Sequence, residues 1–159
     1  EEIRDIILRH HHEKIVPSAE LLLYFASRAQ HVEHLIKPAL AEHKIVICDR
    51  FTDSSYAYQA AGREIAEEYL VSLEQLVHKH LQPDVTILFD LPPEVGCLRA
   101  SQTGEPDRIE SEHIDFFKRV RENYLKRARN FPDRFRIVDA EQSVENVEQQ
   151  LKTILDEVK

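Results

Sequence analysis

Between residues 49 and 63 the chain concentrates groups that can do chemistry: Asp49, Arg50, Thr52, Asp53, Ser54, Ser55, Tyr56, Tyr58, Gln59 and Arg63. An acid, a base, hydroxyls, tyrosines and an amide fall together there before apolar periodicity returns. Such a segment is suited to holding a charged, hydrogen-bonding small molecule. A second pair stands upstream. Tyr24 and Arg28 are four apart, so on a helix they share one face. The pair has two readings: a core aromatic with an arginine reaching past it to water, or a platform for a planar ligand with a guanidinium at its edge. Downstream, Asp90 and Asp139 each close a short apolar run, and Arg108 and Glu110 follow a polar stretch around Gly104.

These residues need elements to carry them. Lys44-Ile45-Val46-Ile47-Cys48 reads as a strand covered on both faces, as in a parallel sheet. Asp49 and Arg50 then lie at its carboxyl end, the edge that faces the ligand crevice in open α/β sheets. Val85–Phe89 and Phe135–Val138 read as two further strands. Helical spacing runs over 2–10, from Pro17 to Ile36, over 65–81, 94–100, 116–125 and 144–158. Ser18 is the expected N-cap of the long second helix. Pro38 is expected to kink that helix or to begin a new turn. Pro93 suits the first turn of its own helix, and Pro83-Asp84 and Pro132-Asp133 end the helices before them. Arg119, Arg121, Lys126, Arg127 and Arg129 read mostly as a solvated helix face. Strands separated by helices predict right-handed crossovers and a parallel sheet, hence an α/β fold.

The 159 residues suit one domain, residues 1–159, and a 42% apolar content is enough for a core. A net charge of −8 disfavours nucleic acid as a partner. No apolar run approaches the roughly 20 residues needed to cross a membrane, so no membrane partner is expected. Cys48 and Cys97 are far apart among apolar residues and read as reduced, buried thiols, which fits a cytoplasmic setting. His10-His11-His12 reads as a solvated helix end, because neither flank supplies a metal-ligand pattern.

Five blocks together resemble the thymidylate kinases of the bacterial type. They are Leu21 to His31, Ile36-Lys37-Pro38-Ala39-Leu40, Asp49-Arg50-Phe51 through Tyr58-Gln59 to Gly62-Arg63, Phe89 to Gly96, and Asp107-Arg108-Ile109-Glu110. They occur in the family's order, and the resemblance runs over effectively the whole chain. It implies a parallel sheet flanked by helices in three layers, of the P-loop nucleoside-monophosphate-kinase type. It also implies transfer of the γ-phosphoryl group of ATP to dTMP, with Mg²⁺. That chemistry needs two polyanions held in line and their charge neutralised, with little covalent help.

The family's site residues carry over position by position. Arg50 matches the arginine that grips the acceptor phosphate, for which a planar charged fork is suited. Asp49 matches a carboxylate near the magnesium and its waters. Tyr24 matches the ring that stacks on thymine, where phenylalanine is more usual, and Arg28 the donor to a thymine carbonyl. Ser55 and Gln59 match positions at the polar edge of the base; an amide offers donor and acceptor beside each other. Tyr58 matches the ring that crowds a ribose 2′-hydroxyl. Ser54 falls in the same dTMP-binding set, or caps the helix starting near Asp53. Residues 102–111 match the lid over ATP. Arg108 is expected to reach the transferring phosphate, and Arg99 stands at the lid's root. Asp139-Ala140 resembles the strand end beside adenine. The family forms homodimers, and the apolar faces around Leu35 and Leu73 are either such an interface or core.

One part of the pattern is absent. The family's phosphate-cradling loop, G-x-x-x-x-G-K-[ST], occurs nowhere here; the chain has only Gly62, Gly96 and Gly104. The opening at Glu1 reads as mid-helix, so a strand-loop-helix-strand unit of roughly 40 to 50 residues is expected upstream, somewhat larger than a minimal βαβ unit. The 159 residues alone are then expected not to catalyse. Two other readings stand beside this: a non-catalytic nucleotide-binding relative, and a kinase for another nucleoside monophosphate.

Overall fold

The computed structural model describes residues 2–102 and 104–157. Glu1, Thr103 in the expected lid, and Val158 and Lys159, the first of them in the expected last helix, lie outside them. Helix α1 spans Glu2–Leu8 and α2 spans Pro17–His31. Proline has no amide hydrogen to leave unpaired, so Pro17 takes the first helical position. The N-cap therefore falls on Val16, with no side-chain cap, and not on Ser18 as the sequence suggested. Pro38 has the predicted effect. Its ring would clash with the carbonyl of His34 in an unbroken helix. The chain widens into a π-helical stretch, Val32–Ile36, and then forms the short α3, Lys37–Ala41.

The described residues contain two strands, β1 Thr86–Asp90 and β2 Phe135–Asp139. They pair in parallel, Thr86 opposite Phe135 and Asp90 opposite Asp139. Two helices, α6 Pro93–Ala100 and α7 Ile114–Asn130, make the connection between them. The last helix, α8 Val144–Glu157, packs on β2. The expected third strand is not formed. Residues 44–48 run without ladder partners, and Ile45 and Ile47 are 92% and 94% exposed. A strand exists through its partners' hydrogen bonds, and an apolar run alone does not supply them.

Between these lie α4 Thr52–Ser55, a second π-helical stretch Tyr56–Gly62, and α5 Glu67–Val77. The chain leaves α5 at His78, before the predicted stop at Pro83. The Tyr56–Gly62 stretch sits between two apolar clusters. Tyr56 and Ala60 pack with Leu21, Phe25 and Leu70, against which Ile65, Leu73 and Val77 also lie. Ala57 packs with Ile109, Phe116 and Val120, joined by Leu8, Tyr58 and Tyr124. Leu73 is thus partly buried against the core, while Leu35 is exposed. Phe25 and Leu70 are essentially fully buried; truncating either to alanine costs about 3 kcal/mol or more. Gly62 allows the close approach of α7. A methyl group there would lie 2.6 Å from Cε2 of Phe116.

The basic face of α7 is less solvated than its sequence suggests. Arg127 and Arg134 close on Asp53, which is 4% exposed. Arg121 forks onto both oxygens of Asp90 at 2.7 and 2.9 Å. Arg119 donates to the carbonyls of Ala61 and Gly62. Lys118, Lys126 and Arg129 keep largely open pairs, with Glu94, Glu67 and Glu122. Both cysteines are free thiols, half-buried where the sequence suggested full burial. The histidine run lies just past α1, where His11 donates to Ile6 O and His10 to Pro106 O. Among the described residues no cluster of His, Cys, Asp or Glu could hold a metal ion by itself. None of their helices is long and apolar enough to cross a membrane.

Candidate functional site

Helix α2 lays one face along the segment from Phe51 to Arg63. Glu20, Tyr24 and Arg28 succeed one another at four-residue spacing and so share that face. At one end, Arg28 Nη1 donates to Ser55 Oγ at 2.9 Å and Nη2 to Phe51 O at 3.0 Å. At the other, Gln59 Nε2 donates to Glu20 Oε1 at 3.0 Å. The pairing is antiparallel, with Tyr24 midway between the two rungs. Arg28 also lies over the rings of Phe25 and Phe51. Burial pulls its guanidinium down to about 10, which leaves it charged at neutral pH. Burial and the Glu20 carboxylate push the Tyr24 phenol up, against the opposing pull of Arg50 and Arg108. Tyr24 is therefore a neutral ring with cations within electrostatic reach.

Arg50 stands at the open end of this arrangement. Its guanidinium lies over the Tyr58 ring, 4.9 Å from the centroid. Its backbone is left-handed, with φ 65°. A bulky side chain seldom takes that conformation, and such strain concentrates where a side chain must be aimed. Cys48 Sγ donates to Arg50 O at 3.4 Å and helps close the turn. Asp49, next in the chain, is exposed. The Tyr58 ring meets Phe116 and Tyr124 edge-on. Burial pushes the Tyr124 phenol up to about 12, despite its hydrogen bond with Ser54. Ser54 thus faces Tyr124. It does not cap α4, whose N-cap is Phe51 without a side-chain bond.

The residue that sequence reasoning missed is Glu20. It is 0% exposed and carries three donors. Gln59 and Arg63 meet Oε1 at 3.0 and 3.2 Å, and Arg108 Nη2 meets Oε2 at 2.7 Å. Burial alone would raise its carboxyl; the bonds from Gln59, Arg63 and Arg108 outweigh that and hold it below the usual range. Arg63 continues to Glu112 at 2.6 Å, so two carboxylates and two guanidiniums balance. The available signal was the four-residue spacing of Glu20 with Tyr24 and Arg28.

The segment 102–111, expected to form a lid, is joined to the same hub. Arg108 donates from its backbone to Leu8 O at 3.1 Å and from Nε to Ile7 O at 2.8 Å. The end of this segment is therefore pinned to α1 while the guanidinium tip of Arg108 sits on Glu20. Arg99 is elsewhere: it donates to the carbonyls of Ala140 and Glu141, just past β2. Tyr24, Arg28, Arg50, Ser55, Tyr58, Gln59 and Arg108 thus form one connected region. Asp49 borders it, Ser54 backs it, and Arg99 marks the strand end at Asp139.

A guanidinium at the rim, aromatic rings, and a buried amide and hydroxyl can together hold a planar heterocycle that carries an anionic group. The chain as a whole is similar to known proteins. The family model described as thymidylate kinase matches residues 1–151. The thymidylate kinase of Alcanivorax borkumensis is 49% identical over 158 residues, which cover 99% of this chain and 76% of that protein. That of Pseudomonas syringae pv. tomato is 48% identical over 99% of this chain and 75% of its own length. The crystal structure of the Ehrlichia chaffeensis thymidylate kinase superposes with a TM-score of 0.74 at 28% identity, over 98% of this chain and 72% of the other. The helices and parallel strand pair described above are thus part of the P-loop nucleoside-monophosphate-kinase fold, and the chain belongs to the thymidylate kinase family of phosphotransferases.

Proposed function

We propose that the protein transfers the γ-phosphoryl group of ATP to dTMP, giving dTDP and ADP, and that the region from Tyr24 to Gln59 is its acceptor site. The reading is supported chiefly by Arg50, held in a left-handed turn with its guanidinium over Tyr58 and Tyr24 within reach. In this reading Arg50 takes the acceptor phosphate. Tyr24 stacks on the base, Arg28 and Ser55 meet its carbonyl edge, Gln59 meets its N–H, and Tyr58 excludes a 2′-hydroxyl. Ser54 supports Tyr124 behind the sugar.

Arg108 leaves Glu20 for the transferring phosphate when residues 102–111 close over ATP, which excludes water and offsets developing charge. Arg99 helps form the ATP side. Asp49 is the hard oxygen donor that a Mg²⁺ arriving with the nucleotide would use. One or two carboxylates plus phosphate oxygens and waters suffice for that ion, and its chemistry is to neutralise phosphate charge. Residues 1–159 act as one domain. With no G-x-x-x-x-G-K-[ST] run among them, these residues by themselves bind the acceptor without turnover. The protein works in the reducing cytoplasm, where Cys48 and Cys97 stay free, and as a homodimer that buries exposed apolar residues such as Leu22, Leu35 and Leu76.

The test is calorimetric titration with dTMP. Replacing Arg50 by alanine lowers dTMP affinity by roughly 10- to 100-fold, the worth of charge-assisted bonds to one phosphate. The folded stability stays unchanged or rises. Unaltered affinity would remove Arg50 from the acceptor site. Equal affinity of the unsubstituted protein for dTMP and the ribonucleotide would remove the role given to Tyr58, and equal affinity for dTMP and dCMP that given to Gln59.

A further inference from the structure

We propose that Glu20 is a positioning residue: it fixes which way the Gln59 amide faces and so makes the pocket select a pyrimidine with an N3–H beside a 4-carbonyl over one with a 4-amino group. The proposal rests on the acceptor-site reading above and goes beyond it. An amide carries a donor and an acceptor at nearly the same place, and a half-turn exchanges them. A free Gln59 would therefore read either edge: N3–H with a carbonyl, or a bare N3 with an amino group. In this fold it is not free. Glu20 is completely buried and takes Arg63 and Arg108 on the same carboxylate that receives Gln59 Nε2 at 3.0 Å. Two guanidiniums keep that carboxylate ionised, and an ionised carboxylate only accepts. Gln59 is 2% exposed, so no bulk water compensates a flipped amide. A half-turn would set Gln59 Oε1 against the oxygens of Glu20 and leave buried acceptors unpaired. A site whose polar groups are fixed in this way rejects a ligand with the inverted pattern far better than a site that can turn to meet it.

The geometry also separates this role from simple scaffolding. Arg63 has a second carboxylate, Glu112 at 2.6 Å, and Arg108 is held by two α1 carbonyls. Gln59 Nε2 has Glu20 as its side-chain partner.

The experiment titrates the protein with dTMP and with dCMP, for the unsubstituted chain, Glu20→Gln and Glu20→Asp. The unsubstituted chain is expected to prefer dTMP. Glu20→Gln, whose side chain is itself an amide free to turn, is expected to narrow that preference by about tenfold or more. Glu20→Asp keeps the carboxylate and is expected to keep most of the preference. If Glu20→Gln weakens both nucleotides in proportion, Glu20 merely anchors the two arginines and the proposal is overturned. If the unsubstituted chain shows no preference for dTMP, the acceptor-site reading itself fails, which is a separate outcome. Should Glu20→Gln not fold, the unsubstituted protein still decides by NMR. The Gln59 side-chain amide protons must exchange with solvent more slowly than those of the exposed Gln75. Equal exchange rates overturn the proposal.

Discussion

Replacing Asp53 by asparagine tests whether a buried charge cluster holds α4 to the sheet. Asp53 sits in the first turn of α4, ahead of Ser55, Tyr58 and Gln59. Arg127 Nε meets its Oδ1 at 2.5 Å; Arg134 meets Oδ2 at 2.5 Å and Oδ1 at 2.9 Å. The two arginine side chains are 16% and 14% exposed. Asparagine keeps the shape and one acceptor but leaves both guanidiniums without a counter-charge. Breaking such a pair from one side costs about 3 to 5 kcal/mol. The low end applies, because Arg134 keeps Thr86 Oγ1 and Arg127 keeps its place over the Tyr56 ring, 4.0 Å from the centroid. A loss of about 3 kcal/mol lowers the melting temperature by about 6 to 12 °C for a chain of this length.

The pH dependence supplies a second check on the same variant. Burial would raise the Asp53 carboxyl, but the bond from Arg134 and the charge of Arg127 hold it below its ordinary 3.8. A carboxyl depressed in the folded state contributes stability that is complete above the unfolded value and lost as pH falls through the folded one. The gap between the original protein and Asp53→Asn should therefore be full at neutral pH and shrink below about pH 3.8. Urea unfolding across pH 7 to 3 reads both quantities. A neutral-pH loss under about 1 kcal/mol, or a gap that persists undiminished in acid, would refute the reasoning.

Two further outcomes are expected. Gly62→Ala places a methyl group 2.6 Å from the Phe116 ring, and overpacking of this kind costs about 1 to 3 kcal/mol; a thermal melt within 1 °C of the original would show that α7 yields freely. His78 is 3% exposed, shares a 2.7 Å bond with Thr52 Oγ1, and is held below its ordinary 6.5 by burial. Its contribution is complete above that value and drains away as pH falls through the folded one, so the urea midpoint should fall on moving from pH 7.5 to 5.5. Glutamine at 78 should flatten that profile, and a flat profile in the unsubstituted protein would contradict the assignment.

How much of this could be read from the chain depends on the range of each interaction. The helices around Phe116 and Val144 were legible because their stripes are local and strongly periodic, and the two paired strands because apolar runs ended at turn residues. The extended run at Ile45 carried the same signal but has no ladder partner among the described residues. Both π-helical stretches escaped notice, since the difference in period amounts to less than one residue over so short a length. In the site, types and spacing pointed to Tyr24, Arg28, Arg50 and Gln59. Glu20 did not stand out, because its burial is made by donors 39, 43 and 88 positions away. Arg127 looked like solvated surface for the same reason: the carboxylate that buries it lies 74 positions earlier.

The left-handed turn at Arg50 has a corollary for attempts to make this protein sturdier. Glycine adopts that backbone freely, so a screen rewarding heat resistance alone would favour it at position 50, recovering about 1 kcal/mol of conformational energy. The same exchange would strip the rim of its cation. Robustness and competence pull in opposite directions at this residue, and a collection of thermostable clones should be checked there first.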